Sequence, residues 1–177
     1  MVILDEVTFL NRLLSDNWAS AASALYSAGK IHSSISVPKI IDVRSIEPNE
    51  GRRVDADSDS AIVIVYEDSS STNYPTIDYA VRNEEFTFTI HIRVLARRDL
   101  ANNTTARDRL QTLYRIVRYI LENNSLSPTV ITTVDGTDYT ETADIIKLTS
   151  RSEANDRKKR LLGYKLSVEM KRFARSV

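Results

Sequence analysis

Hydrophobic residues near the start of the chain recur at spacings of three and four. Val7, Leu10, Leu14, Trp18, Ala21, Ala22 and Leu25 fall on one stripe, which predicts a helix from about Asp5 to Ala28. The acidic pair at its start suits the positive end of the helix dipole, and Gly29 before Lys30 predicts a left-handed stop. Pro38 disfavours helix just before it, and Lys39 to Ile46 alternates imperfectly, which predicts a strand. Glu47 to Ser60 collects Pro48, Asn49, Gly51 and several carboxylates, the composition of a long exposed loop. Ala61 to Tyr66 is a continuous apolar run rich in β-branched residues and predicts a central strand covered on both faces. Glu67 to Thr76, with three consecutive serines, predicts a second long loop.

Glu85 to Leu95 alternates strictly. Phe86, Phe88, Ile90, Ile92 and Val94 share one face, and Thr87, Thr89, His91 and Arg93 the other. Ile77 to Arg82 either extends this strand or pairs with it around Asn83. Thr104 or Thr105 then supplies an N-cap for a second helix, whose buried stripe is Leu110, Leu113, Tyr114, Val117, Ile120 and Leu121. Arg107, Gln111, Arg115 and Arg118 run up its other side; Asn123 and Asn124 end it. Val130 to Val134 predicts a short strand closing on a turn at Asp135 and Gly136. Thr140 to Thr149 and Leu162 to Met170 predict two further strands, joined by a charged hairpin connection from Ser150 to Arg160. The order defines an α+β fold: a mainly antiparallel sheet with an N-terminal helix and a second helix packed on one face.

At 177 residues, 42% hydrophobic and with four glycines and four prolines, the chain suits a single folded domain spanning 1–177 and is neither collagenous nor disordered. Cysteine is absent, which removes disulfides and thiolate sites. Basic and acidic residues both number 24, so charge-driven binding must be local. No apolar run approaches a membrane span, and the N-terminus lacks a basic segment followed by an apolar one; the reading expects a soluble chain without a targeting segment.

The chemistry-bearing residues form no catalytic constellation. His32 and His91 have no second imidazole at metal-ligand spacing, and His91 reads as a half-exposed strand residue. Four scattered glycines cannot build a phosphate loop, and no G-x-S-x-G elbow exposes a serine nucleophile. Glu169 and Lys171, with Asp144 on the preceding strand, resemble the carboxylate and lysine set of metal-dependent nucleases. With 24 acidic residues, about one acidic-x-lysine match arises by chance, and Asp156 to Lys158 is another. A small Mg-dependent nuclease therefore stays as the lesser alternative. The basic run Arg157, Lys158, Lys159 and Arg160 lacks the interleaved aromatics of a nucleic-acid platform and reads as a solvated tip or a charged protein contact.

Asn17-Trp18 at the end of the leading helix, Val37-Pro38-Lys39-Ile40-Ile41, Ile62-Val63-Ile64-Val65-Tyr66-Glu67, Phe86 to Arg93, Arg109 to Val117 and the two closing strands together resemble the tail terminator, or tail completion, proteins of long-tailed bacterial and archaeal viruses. The order and spacing of these segments over nearly the whole chain carry the resemblance. It implies a non-enzymatic virion protein, with no cofactor, in a homo-hexameric ring. Such a ring caps the tail tube, ends its polymerisation and joins the tail to the head connector. Its implied partners are further copies of itself, the tail tube protein and a head-completion or connector protein, with viral DNA passing through the lumen and no membrane. Its implied location is the tail end or neck of the virion, assembled in the host cytoplasm; another neck or connector adaptor is the alternative role. A ring contact is heterologous, so each subunit presents two unlike patches. The candidates are the acidic loop Glu47 to Asp59, with Glu50, Asp55, Asp57 and Asp59, and the basic hairpin Arg151 to Arg160, with Arg157, Lys158, Lys159 and Arg160; Arg107, Arg115 and Arg118 form an arginine row for docking.

Overall fold

The computed structural model describes residues 6–31, 39–42, 62–73, 81–95, 106–134, 136–155 and 161–175. The stripe that begins at Val7 forms α1 (Glu6–Ser27), which buries every predicted position together with Phe9 and Leu13. Its end is the predicted one. Gly29 has φ 64°, its N–H donates to Tyr26 C=O at 2.9 Å, and Lys30 N–H donates to Leu25 C=O at 2.8 Å. These two bonds close the last turn around the left-handed glycine.

The remaining elements are β1 (Lys39–Asp42), β2 (Ile62–Asn73), β3 (Val81–Leu95), α2 (Ala106–Asn123), β4 (Thr129–Val134), β5 (Thr137–Thr142), β6 (Ile145–Glu153) and β7 (Leu161–Arg175). Five strands form one sheet in the order β1-β2-β3-β7-β6, in which only the β1–β2 pair is parallel. β4 and β5 form a separate hairpin whose turn holds Gly136 at φ 78°. The fold is α+β, as the periodicities predict.

Alternation explains where the core sits. Phe86, Phe88, Ile90 and Ile92 of β3 lie opposite Met170, Val168, Leu166 and Tyr164 of β7, so eight core side chains share one face of the two central strands. Both helices cover that face, and their stripes join it in one hydrophobic cluster that includes fully buried Trp18, Leu113 and Ile116. Burying each such large side chain stabilises the fold by about 1.5–3 kcal/mol relative to leaving it exposed. The opposite face carries Thr87, His91 and Arg93 half-buried, as expected, with Thr89 buried.

Three sequence expectations are corrected. The serine-rich segment from Glu67 is strand as far as Asn73, because Ser69 to Asn73 continue the ladder with β3; Ser69, Ser70 and Ser71 face water, so their polarity is compatible with pairing. Thr140 to Thr149 is two strands rather than one. The chain leaves the small hairpin at buried Ala143, whose N–H donates to Pro128 C=O at 3.1 Å, and enters the main sheet through Asp144 N–H to Lys171 C=O at 2.9 Å. Ser150 to Glu153, expected in the hairpin connection, belongs to β6, since their partners Tyr164 to Ser167 extend the ladder beyond the apolar run. Ile77 to Arg82 resolves in part: Val81 and Arg82 extend the long strand. Among the stripe of α2, Tyr114 is half-buried rather than core, whereas Thr112 and Ile116 are buried.

Candidate functional site

Of the predicted interface residues, Glu50, Asp55, Asp57, Asp59, Arg157, Lys158, Lys159 and Arg160 lie outside the described residues. The three arginines of the row on α2 have different surroundings. Arg115 turns aside and donates from Nη1 to Lys30 C=O, which ties α2 to the turn that follows α1. Arg118 donates from Nε to Glu122 Oε1 at 2.7 Å, one turn along the helix, and this hydrogen bond and the charge of Glu122 raise its pKa. Arg107 is exposed and borders a hollow of about 300 Å³ with Leu110, Glu153, Asn155, Leu162 and Tyr164.

What the structure brings together is a cleft between α2 and β6. The register of β6 shifts between Leu148 and Ser150. Before the shift Lys147 pairs with Glu169, on the solvent side; after it Arg151 pairs with Leu166, a core residue. A one-residue bulge moves the following side chains to the other face. Arg151 is thereby carried to the helix side, where its Cζ lies 4.6 Å from the centre of the Tyr114 ring and 5.0 Å from that of Tyr164.

The two rings meet edge to face, 5.5 Å apart at 60°, and Gln111 Nε2 donates to the Tyr164 hydroxyl. The platform is therefore fixed from two elements. Tyr114, Arg118, Glu122, Thr149, Ser150 and Arg151 border a cleft of about 370 Å³. Arg151 is exposed, and among the described residues its guanidinium has no hydrogen bond or ion pair. A stacked guanidinium with free N–H groups is arranged for bidentate recognition of a carboxylate or phosphate.

β6 is also an edge of the sheet. Its start is covered: Ile146 N–H donates to Ser125 C=O at 2.9 Å, and Leu126 bridges Ile145. From Leu148 to Glu153 no described residue pairs with its outer side.

A second arginine on the helix side differs. Arg172 on β7 has Nη2 3.7 Å from Glu141 Oε2 and Nη1 4.0 Å from Glu6 Oε1, with Cζ 5.7 Å above the Phe9 ring. Only 12% of its side chain is accessible. It ties α1, the small hairpin and the sheet together, alongside Arg12 Nη1 donating to Ile131 C=O at 3.2 Å.

The nuclease-like residues are placed as follows. Glu169 and Lys171 point to the solvent side, and Lys171 Nζ donates to Glu85 Oε1 at 2.6 Å, a bond that raises the lysine pKa. Among the described residues no group of three or more His, Cys, Asp or Glu side chains is arranged to hold a metal. No described helix is long and apolar enough to cross a membrane.

Arg151 opens the basic hairpin Arg151 to Arg160 that the sequence offers as a candidate patch, whereas Tyr164 reads there only as an inward-facing strand position. The only signal for their meeting is the break in alternation at Leu148-Thr149-Ser150, which is polar enough to read as a loop. No family model matches the chain, and no curated protein matches it.

Proposed function

We propose that this protein is a structural ring component at a viral tail end. In this reading it forms a homo-hexamer that caps the tail tube, stops tube growth and joins the tail to the head connector. DNA passes through its lumen without sequence-specific contact, and it makes or breaks no bond. The observation that carries the reading is the pair of unlike edges of the main sheet. One edge is β1, from which the chain runs into the acidic segment; the other is β6, whose cleft presents a stacked arginine with no counter-charge among the described residues. Unlike surfaces on opposite sides of one subunit are what a heterologous, ring-closing contact requires. The cleft itself offers guanidinium, phenol and hydroxyl groups, with its carboxylate Glu122 already bonded to Arg118. That set recognises partners by charge and shape.

The test is direct. Purified protein is added to growing tail tubes, and tube length and end occupancy are read by electron microscopy, alongside particle mass in solution or on the tube. Capped tubes carrying sixfold rings are expected. Uncapped tubes together with rings on portal complexes would move the protein to a connector adaptor, and Mg²⁺-dependent cleavage of DNA that disappears in Glu169→Ala would replace the structural reading.

A further inference from the structure

Among the described residues the outer edge of β6 is open from Leu148 to Glu153, and its phase is fixed. Ala154 N–H donates to Gly163 C=O at 2.9 Å, so alternation turns the N–H and C=O groups of Ser150 and Ser152 toward β7 and those of Arg151 and Glu153 outward. The same two residues share a face. Arg151 lies opposite Leu166 and Glu153 opposite Tyr164, both buried on the helix side, so an arginine and a glutamate stand two positions apart on one face of an unpaired edge. Neither charge is met by a described residue. The Arg151 guanidinium has only the two tyrosine rings, and Glu153 has no ion pair, its Oε2 accepting from the neutral Asn155 Nδ2 at 3.2 Å. Ser150 and Ser152, on the other face, are small and exposed.

We infer that β6 pairs with β6 of a second copy of this chain, antiparallel and across a twofold axis at Ser152, so that Arg151 of each copy meets Glu153 of the other. A paired edge needs outward groups opposite outward groups, so the axis falls at Arg151, Ser152 or Glu153. An axis at Arg151 sets the two arginines opposite each other, and one at Glu153 the two glutamates. Only the axis at Ser152 sets each arginine against a glutamate, and like charges directly opposite are destabilising. Each Arg151–Glu153 couple also exchanges the two N–H···O bonds of a hydrogen-bonded pair. Stacking uses the flat faces of the guanidinium and leaves its N–H edge for the incoming carboxylate. The contact is short and belongs with the weak class, so it forms in concentrated protein and releases on dilution. The inference goes beyond the ring reading and does not rest on it: an isologous pair closes at two copies, and a ring that used this edge would first have to open the pair.

The chain has no cysteine, so introduced thiols report cleanly. Ser152 meets Ser152 of the other copy as a non-hydrogen-bonded pair with Cα atoms about 4.5 Å apart, within the span of a disulfide. Concentrated, mildly oxidised Ser152→Cys protein is therefore expected to give a linked dimer on a non-reducing gel. Ser150→Cys, on the same strand and face, sets its thiols about 13 Å apart along the pair and should give little product, as should Ser20→Cys on exposed α1. In the Ser152→Cys background, Arg151→Glu sets glutamates against glutamates and Glu153→Arg sets arginines against arginines; each is expected to lower the yield about tenfold. Mixing tagged Arg151→Glu protein with untagged Glu153→Arg protein restores opposite charges at both couples, so tagged–untagged dimers should return to the parent yield.

Equal linking at Ser150→Cys or Ser20→Cys, a yield indifferent to Arg151→Glu, or a mixture that links no better than its parts overturns the inference. So does folded Ser152→Cys protein, which keeps both charges, if it fails to link. Tube capping by a protein that gives no Ser152→Cys dimer rejects the pair and leaves the tail role. Specific linking in a protein that caps no tube keeps the pair and rejects the tail role.

Discussion

Arg172 and Arg151 occupy the same side of the same sheet, and each sits over aromatic rings, yet their surroundings are opposite. Arg172 is nearly enclosed and takes its counter-charges from within the chain, Glu141 on the hairpin and Glu6 on α1. Arg151 has a more complete aromatic platform, Tyr114 and Tyr164, and no carboxylate from any described residue. A buried charge that loses its counter-charge is costly, so Arg172 depends on Glu141 and Glu6, at ion-pair distance, all the more because its Nε and Nη2 make no hydrogen bond among the described residues. An exposed guanidinium carries no such demand. The contrast separates an arginine that holds elements together from one held ready for something else.

The largest expected effect comes from breaking the enclosed member. Arg172→Met removes the cation beside Glu141, which is itself nearly enclosed, and is expected to destabilise the protein by about 3–5 kcal/mol, read from urea unfolding midpoints. Pairing it with Glu141→Gln should recover part of that loss, because the second change removes the carboxylate charge that faced Arg172. A loss under about 0.5 kcal/mol for Arg172→Met, the range of ordinary surface changes, would contradict the distinction.

Next in size is Gly163, near the start of β7 and facing Ala154 just past β6. A Cβ there would lie 2.8 Å from Ala154 O and 3.0 Å from Ile92 O, both backbone atoms that cannot rotate away. Gly163→Ala must push apart the β6–β7 junction, at about 1–3 kcal/mol. The same strain should disturb the edge on which Arg151 stands, and the melting temperature is expected to fall.

How far the sequence reaches follows the same division. The core of β3 and the stripe of α1 were legible because burial on one face leaves a period of two or three-to-four that a linear string preserves. The glycine stop at Gly29 was legible because only local backbone geometry decides it. The strand character of Ser69 to Asn73 was not, because its ladder partners lie ten or more residues away on β3 and its side chains face water. The cleft was hidden for a related reason. A single extra residue between Leu148 and Ser150 moves Arg151 to the helix side, and that bulge exists only in the pairing with β7. The arginine row on α2 was read correctly as exposed. Its division among the turn after α1, a helical ion pair and the hollow beside Leu162 depends on where α1 ends and where β6 and β7 run.

Arg151→Ala should leave unfolding within about 0.5 kcal/mol of the parent, since its side chain is exposed and unpaired among the described residues. A drop of several kcal/mol in the same urea titration would place Arg151 with Arg172 and remove the contrast.

The smallest effect asks whether enclosure, rather than merely having a partner in the chain, is what distinguishes the two arginines. Lys171 and Glu85 are such partners on the solvent side, with side chains 40% and 53% accessible. The Glu85 hydrogen bond and charge raise the Lys171 pKa, so the folded chain holds that proton more tightly than the unfolded chain. The stabilisation from this shift is fully present below the unfolded lysine value of about 10.4 and is lost as pH rises through the higher folded value. The melting temperature of Glu85→Gln should therefore lie slightly below that of the parent at neutral pH, with the gap closing above about pH 10.4 and shrinking in high salt. A gap as large as that of Arg172→Met would mean that pairing alone suffices, and the enclosure of Arg172 would no longer explain why its loss is severe.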